Sequence, residues 1–197
     1  METPENVRKA EHPIDPLFLR RWSSRAMNGK KIEKEKLLSL FEAARWAPSS
    51  YNGQPWRYLY ALRETPFFAA LFNLLVEFNQ SWCKNAAALA LIISRKTFEK
   101  NDKPSVTHSF DTGSSFTNLC LQGSLMDLVV HGMQGFNYEE ARKVGKIPDH
   151  YQVEAMVAIG NPGKKEDLPE EIQAKEIFSS RKPLAEIICE GSFSWEK

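Results

Sequence analysis

The spacing of apolar residues along the chain predicts helices that alternate irregularly with short strands. Apolar residues recur every three to four positions over residues 33–46, which predicts an amphipathic helix that Pro48 ends. Ring-bearing and other residues alternate over 56–62, as in a strand, and 87–93 form a short apolar run typical of a buried strand. Asp15 before Pro16 is typical of the start of a short helix.

The same pattern continues into the C-terminal half. A helix is predicted to begin at Thr65-Pro66 and to run to about residue 78, and a long apolar helix is predicted over 115–130, with Gly132 ending it. Residues 153–159 alternate as a strand. Because helices outnumber strands, we predict an α+β fold with a small central mixed sheet flanked by helices.

Composition limits the class of protein. The 197 residues, 42% of them hydrophobic, can bury one good core, so we predict a single domain over residues 1–197, with 1–14 as a flexible N-terminus and 163–197 as a C-terminal arm. The net charge of +1 argues against a general nucleic-acid binder. No secretory signal or membrane-spanning run is visible, so we expect a cytoplasmic location, and no histidine or cysteine spacing indicates a metal site.

Arg21, Ser23 and Arg25 are the first candidates for ligand binding. If this segment is extended, side chains at alternate positions point the same way, so two guanidinium groups and a hydroxyl would converge on a phosphate. The alternative, two surface arginines on a solvated strand, is equally compatible with the spacing. The basic pair Arg181-Lys182 could complete such a site, although exposed basic pairs are common.

The segment APSSYNGQPW at residues 47–56 combines hydroxyls, two primary amides and two aromatic rings. Amides suit the polar edge of a planar ligand, and rings suit its faces. Proline, serine, asparagine and glycine are also ordinary turn residues, which favours a simple loop. Gln54 and Trp56 are not turn formers and shift the balance towards binding.

A third candidate is the segment GMQGF at residues 132–136, where two glycines would let the backbone approach a flat ligand. Taken alone, a helix C-cap followed by a turn explains it better. The sequence carries no GxGxxG, P-loop or GxSxG motif and no obvious general base. A ligand-shaped signature without a nucleophile or acid indicates that a bound cofactor performs the chemistry.

Together these segments resemble the nitroreductase family of FMN-dependent oxidoreductases. Four motifs stand in the family's order: RWSSR at 21–25, APSSYNGQPW at 47–56, GMQGF at 132–136 and RKPL at 181–184. The second motif is highly specific, and the resemblance extends over most of the chain. It implies a nitroreductase-like fold, an intertwined homodimer, and FMN bound at the interface between the two subunits.

The resemblance also implies a role for each matching position. The phosphate and ribityl end of FMN would be held by Arg21, Trp22, Ser23, Arg25, Arg181 and Lys182. The polar edge of the ring would be met by Asn79, Met133, Gln134 and Gly135. The partner subunit would contribute Pro48, Ser49, Ser50, Asn52 and Gln54. Gln134 stands where some members of the family have an acidic residue.

The implied activity is hydride transfer from NADH or NADPH through flavin N5 to an electron-poor small molecule, such as a nitroaromatic or a quinone, in a ping-pong cycle. No side chain need act as a catalyst, and neither nucleic acid nor a membrane is an expected partner. Two alternatives remain open at this point. One is another flavin enzyme on the same scaffold, such as a dehalogenase, a dehydrogenase or a flavin-degrading enzyme, and the other is a flavin-binding protein without turnover.

Overall fold

A four-stranded antiparallel sheet runs through the centre of the computed structural model, which describes residues 3–193 and 195. The strands are β1 (Trp56–Leu62), β2 (Ala88–Arg95), β3 (Val129–Met133) and β4 (Tyr151–Gly160). They lie in the order β1-β2-β4-β3, and every pairing between them is antiparallel. The α+β prediction is confirmed, but within the described residues the sheet is antiparallel and not mixed.

Helices lie between these strands and at both ends of the described chain. The α-helices are α1 (Pro4–Val7), α2 (Pro16–Arg20), α3 (Lys34–Arg45), α4 (Pro66–Phe72), α5 (Glu77–Cys83), α6 (His108–Leu125), α7 (Tyr138–Val144) and α8 (Glu170–Gln173). Short 3-10 turns occur at Ser50–Asn52, Lys165–Asp167 and Leu184–Glu186. Within the described residues, no helix is both long enough and apolar enough to cross a bilayer.

Side-chain caps fix the start of two helices near the candidate site. Asp15 Oδ1 accepts the backbone N–H of Leu17 at 2.8 Å, and Pro16 occupies the first helical position of α2, as predicted. Asn137 caps α7 by accepting the N–H of Glu140 at 3.0 Å. Helix α2 ends at Arg20, and the segment that begins at Arg21 follows it directly.

The predicted helix over 115–130 is wrong in its position and its end. Helix α6 ends at Leu125, and Asp127 has a φ of 52°, which breaks the helical path. The β-branched pair Val129 and Val130 then starts strand β3, so Gly132 lies inside a strand opposite Val157 and is not a helix cap. A long apolar run does not distinguish a buried helix from a buried strand.

The predicted helix over 65–78 is two helices, α4 and α5, with a break between them. At this break, the backbone N–H of Val76 donates to the carbonyl of Gly135 at 3.0 Å. Phe78 is partly exposed and does not face the core, contrary to the helical pattern. The break carries α5 to the turn that follows β3, and this positions Asn79.

The core lies on both faces of the sheet. One face packs against α3 and α6, whose buried side chains include Leu37, Leu40 and Leu119. The other face packs against α4, α5 and α7 and includes Leu71, Trp82, Leu89, Met156 and Ile172. Burial on both faces explains why β2 reads as a continuous apolar run.

Candidate active site

The segment after α2 begins with extended backbone at Arg21, forms no strand over residues 21–26, and brings Arg21 and Ser23 together. Arg21 Nη1 donates to Ser23 Oγ at 3.4 Å, and Ser23 is exposed. The ring of Trp22 packs edge-on against Phe178 at 4.7 Å, so its side chain joins the N-terminal and C-terminal segments. Two of the predicted phosphate ligands are therefore adjacent and accessible.

Arg8 joins the arginine segment, defined as residues 21–26, although no sequence motif indicates it. Arg8 Nε donates to the carbonyl of Ser179 at 3.1 Å, and its Nη1 donates to the carbonyls of Leu19 and Arg21, each at 2.9 Å. Burial, followed by the positive charges of Arg181 and Arg21, lowers the pKa of Arg8. Three arginines from distant parts of the sequence therefore share one region.

This arginine cluster, defined as Arg8, Arg21 and Arg181, has no ion pair with any carboxylate in the described residues. Arg181 is exposed and donates to Ser179 Oγ at 3.1 Å. Lys182 is also exposed and lines, with Arg8 and Arg181, a cavity of about 450 Å³ between the N-terminal and C-terminal segments. Uncompensated positive charge of this kind favours a bound anion.

Arg25 differs from the cluster because it has an internal carboxylate partner. Its Nη1 lies 3.8 Å from Oε2 of Glu176. Its Nε is buried and has no hydrogen-bond partner among the described residues. Arg25 is therefore held on one side of its guanidinium and unsatisfied on the other, which fits a residue with a ligand still to bind.

Asn79, Gln134 and Gly135 meet at the turn after β3. Asn79 Nδ2 donates to the carbonyl of Gly135 at 3.0 Å, and Gln134 is exposed beside it. A side chain at Gly135 would be crowded, since a Cβ would lie 2.6 Å from Asn79 Nδ2. Met133 points into the core, with its Sδ 3.4 Å from Cys83 Sγ, so only its backbone is available to a ligand.

His131 links the arginine segment to β3, the strand that ends at this turn. Its Nδ1 lies 2.9 Å from the carbonyl of Ser24, and its ring packs 4.5 Å from the ring of Trp82. Burial lowers the pKa of His131, so the imidazole is neutral at pH 7 and its Nδ1–H donates to the carbonyl. The arginine segment, α5 and β3 are thus in contact through His131.

The loop over residues 47–55 is strained. Tyr51, Asn52 and Gln54 have φ values of 50°, 53° and 44°. Asparagine tolerates this left-handed conformation, but tyrosine and glutamine adopt it rarely. Strain of this kind clusters at functional sites, which favours a binding role for this loop over a simple turn.

Hydrogen bonds within the loop hold its backbone and leave its amides accessible. Ser49 Oγ accepts the N–H of Gln54 at 3.1 Å, and Gln54 Nε2 donates to the carbonyl of Asn52 at 3.2 Å. Asn52, Gln54 and Pro48 are exposed. The side-chain amide of Asn52 therefore faces solvent in the described chain and is available to a ligand.

This loop is anchored far from the arginine cluster of the same chain. The N–H of Ser50 donates to Asp111 Oδ2 at 3.1 Å, near the start of α6. Arg21 instead lines a cavity with Cys120 and Ser124, near the end of α6. Asp111 and Ser124 are 13 residues apart (124 minus 111) in this helix, which corresponds to about 20 Å at about 1.5 Å per residue.

Known proteins resemble this chain in sequence and in fold. The sequence model of the nitroreductase family matches residues 19–65, which include the arginine segment and the strained loop. A crystal structure of an oxidoreductase containing FMN is 42% identical, with a TM-score of 0.93, and the match covers 100% of both chains. A comparison with curated proteins finds no match.

More distant structures share the fold. A nitroreductase family protein from Clostridium difficile 630 is 24% identical, with a TM-score of 0.69, over 90% of this chain and 97% of the other. A protein from Desulfovibrio desulfuricans solved in complex with FMN is 23% identical, with a TM-score of 0.70, over 94% and 100%. The chain belongs to the nitroreductase family and is an oxidoreductase.

Proposed function

We propose that this protein binds FMN and transfers a hydride from NADH or NADPH to an electron-poor acceptor such as a nitroaromatic or a quinone. The observation that carries this proposal is the arginine cluster without a carboxylate partner. The segment of Arg21 is linked at Ser24 to His131 of β3, the strand that leads to the turn of Gln134 and Gly135, where Asn79 binds. A site with an anion subsite at one end and amides at the other suits a flavin mononucleotide. The relative of 42% identity contains FMN.

At the phosphate end, Arg21, Ser23 and Arg181 would bind the phosphate oxygens. Guanidinium groups form charge-assisted hydrogen bonds with phosphate in fork geometry. Arg8 spends most of its donors on backbone carbonyls, so it would act through its charge and by holding Arg21 and Ser179 in place. The phosphate would in turn relieve the repulsion that lowers the pKa of Arg8.

At the ring end, Asn79 and the exposed backbone at Gln134 and Gly135 would donate to and accept from the polar edge of the flavin. Bound FMN would supply the redox chemistry, taking a hydride at N5 from the nicotinamide and delivering it to the acceptor in a ping-pong cycle. The amide donors would stabilise negative charge that develops on the ring. The unsatisfied Nε of Arg25 would add a positive donor to the same pocket.

The strained loop would serve the FMN of the partner subunit in a homodimer. Within one chain, Ser50 and Arg21 lie near opposite ends of α6, so the loop and the cluster are too far apart to share one small pocket. Side chains exposed near the loop support a covering partner, since Tyr51 is 83% exposed and Trp46 is 72% exposed. In such a dimer, each site would take Ser50, Asn52 and Gln54 from the other subunit.

The direct test is a spectroscopic titration. Protein purified and supplied with FMN should retain a yellow flavin band after desalting, and anaerobic NADH or NADPH should bleach that band. Addition of a nitroaromatic or a quinone should restore it. A preparation that takes up no FMN would contradict the proposal, and retained FMN that neither nicotinamide reduces would favour one of the other flavin activities.

A further inference from the structure

Glu176 is a buried carboxylate that the proposed function leaves without a role. It follows α8 in the C-terminal segment and is 7% exposed. Its Oε1 accepts from Ser24 Oγ at 2.5 Å, from the N–H of Arg25 at 2.9 Å and from the N–H of Ala26 at 3.2 Å. The carboxylate of Glu176 thus lies in an anion-binding concavity formed by the consecutive backbone N–H groups of Arg25 and Ala26.

The same carboxylate orients the side chain of Arg25. Arg25 Nη1 lies 3.8 Å from Glu176 Oε2 and donates to the carbonyl of Lys175 at 3.3 Å. This fixes one edge of the guanidinium, while the buried Nε has no partner among the described residues. The planar group is therefore held with part of its donor set unused.

Glu176 also joins two parts of the chain that the proposed FMN site requires. Ser24 and Arg25 belong to the segment that carries Arg21, and Glu176 lies five positions before Arg181 (181 minus 176). Burial of a carboxylate destabilises the folded state unless charged or hydrogen-bonding groups satisfy it. Here three hydrogen-bond donors from residues 24–26 and the guanidinium charge of Arg25 do so, and this couples the position of the C-terminal segment to that of Arg25.

We propose that Glu176 is a positioning residue of the FMN site, which fixes the backbone over residues 24–26, the guanidinium of Arg25 and the approach of Arg181. The inference rests on the proposed binding of FMN. Glu176 would act on FMN binding through Arg25 and the C-terminal segment. We therefore expect the removal of a negative charge beside the pocket to make a negatively charged ligand bind more weakly.

That sign separates positioning from simple electrostatics. If Glu176 acted only through its charge, Glu176→Gln would remove repulsion from the phosphate, and FMN would bind more tightly. If it positions Arg25, Glu176→Gln should weaken FMN binding by about tenfold, as expected when charge-assisted hydrogen bonds are lost. Glu171→Gln is the matched control, because Glu171 is exposed on α8 and its replacement makes the same change in charge.

The experiment is an FMN titration of the apo-proteins, followed by flavin fluorescence, with the unfolding temperature of each apo-protein measured in parallel. Affinity unchanged or increased in Glu176→Gln, with FMN bound by the wild type, would overturn the inference and leave the proposed function intact. Failure of the wild type to bind FMN would overturn both. If Glu176→Gln does not fold, Ser24→Ala removes one donor to the same carboxylate and should weaken FMN binding in the same direction.

A double-mutant cycle tests the route through Arg25. Arg25→Ala and Glu176→Ala should each weaken FMN binding. The affinity of the double variant should be only slightly lower than that of the single variant with the lower affinity, because the two residues act as one unit. Additive losses would show that Glu176 does not act through Arg25. Trypsin treatment of the apo-proteins provides a readout without FMN: cleavage after Arg181 should be faster in Glu176→Ala than in Glu171→Ala, and equal rates would contradict the coupling.

Discussion

Positive charge without a counter-charge is the feature that defines the site at the scale of single residues. Arg8, Arg21 and Arg181 come from three distant parts of the sequence, and none has a carboxylate partner within the described residues. Elsewhere, exposed arginines such as Arg45 and Arg57 pair with glutamates. The cluster therefore carries uncompensated positive charge, which a bound anion would stabilise.

Replacement of Arg21 tests the phosphate subsite. Arg21→Ala should weaken FMN binding by about ten- to a hundredfold, the range expected for the loss of hydrogen bonds to a charged group. The affinity of the variant should also depend less on salt, because one charged contact is gone. Isothermal titration at two salt concentrations measures both effects, with Lys36→Ala on α3 as a control that removes an exposed charge outside the cluster.

His131 predicts a pH dependence of stability. Burial lowers its pKa below the ordinary value of 6.5, so the native state binds the proton less well than the unfolded state. As the pH falls below about 6.5, the unfolded state gains a proton, and the free energy of unfolding should fall by up to about 1.4 kcal/mol per pH unit. The loss should end once the pH passes below the lowered native pKa.

Urea unfolding of wild type and His131→Gln between pH 7.5 and 5 measures this contribution. The variant should be less stable at pH 7.5, since its amide replaces the imidazole between Ser24 and Trp82, but its stability should fall less steeply with acid. Parallel curves for the two proteins would show that His131 is not responsible. His12→Gln is the control, because His12 is exposed.

At the scale of elements, the sequence predicts local structure well wherever the signal is local. Strand β1 has the predicted bounds, and the cap of α2 lies at the predicted residues. The failure at β3 has a physical reason: Val129 and Val130 follow a long apolar helix, and only pairing with β4 decides that they form a strand.

The same distinction between local and distant signals applies to the residues of the candidate site. The motifs at 21–25, 47–56 and 132–136 could be found because their residue types are unusual for turns or repeat at short spacing. Arg8, His131 and Glu176 could not, because their important partners are distant in the sequence. Arg8 bonds to Ser179, His131 to Ser24, and Glu176 to Arg25, so each role exists only after folding.

The turn after β3 gives a prediction at this scale. In Gly135→Ala, the new Cβ would lie 2.6 Å from Asn79 Nδ2 and 3.0 Å from Val76 Cγ2, so the side chain of Asn79 or the turn itself must shift. We expect the variant to lose about 1–3 kcal/mol of stability, as is usual for overpacking, and to bind FMN weakly. Thermal unfolding and FMN titration measure the two losses.

Asn79→Ala provides the internal check. It removes the atom closest to the new Cβ, so the double variant Gly135→Ala/Asn79→Ala should be more stable than the sum of the single losses predicts. Strictly additive losses of stability would show that the contact between Asn79 and Gly135 does not control the turn.

At the scale of the whole molecule, helix α6 separates the two parts of the proposed site. Its start binds the strained loop through Asp111, and its end lies beside Arg21 through Cys120 and Ser124. Large apolar side chains near the start of α6 are exposed, with Phe110 77% and Val106 93% exposed. Both facts support a homodimer in which each chain completes the pocket of the other.

Complementation between two defective variants is the measurement that tests this composite site most directly. Arg21→Glu introduces a negative charge into the cluster, and Asn52→Glu introduces one into the strained loop. Each variant alone should form dimers in which both sites are defective and FMN is lost. When the two are co-expressed with different affinity tags, each heterodimer should contain one doubly defective site and one fully wild-type site. Purified heterodimers should therefore bind one FMN per dimer with wild-type affinity. Heterodimers that bind no FMN, or that bind it only as weakly as the parent variants, would contradict a site shared between two subunits.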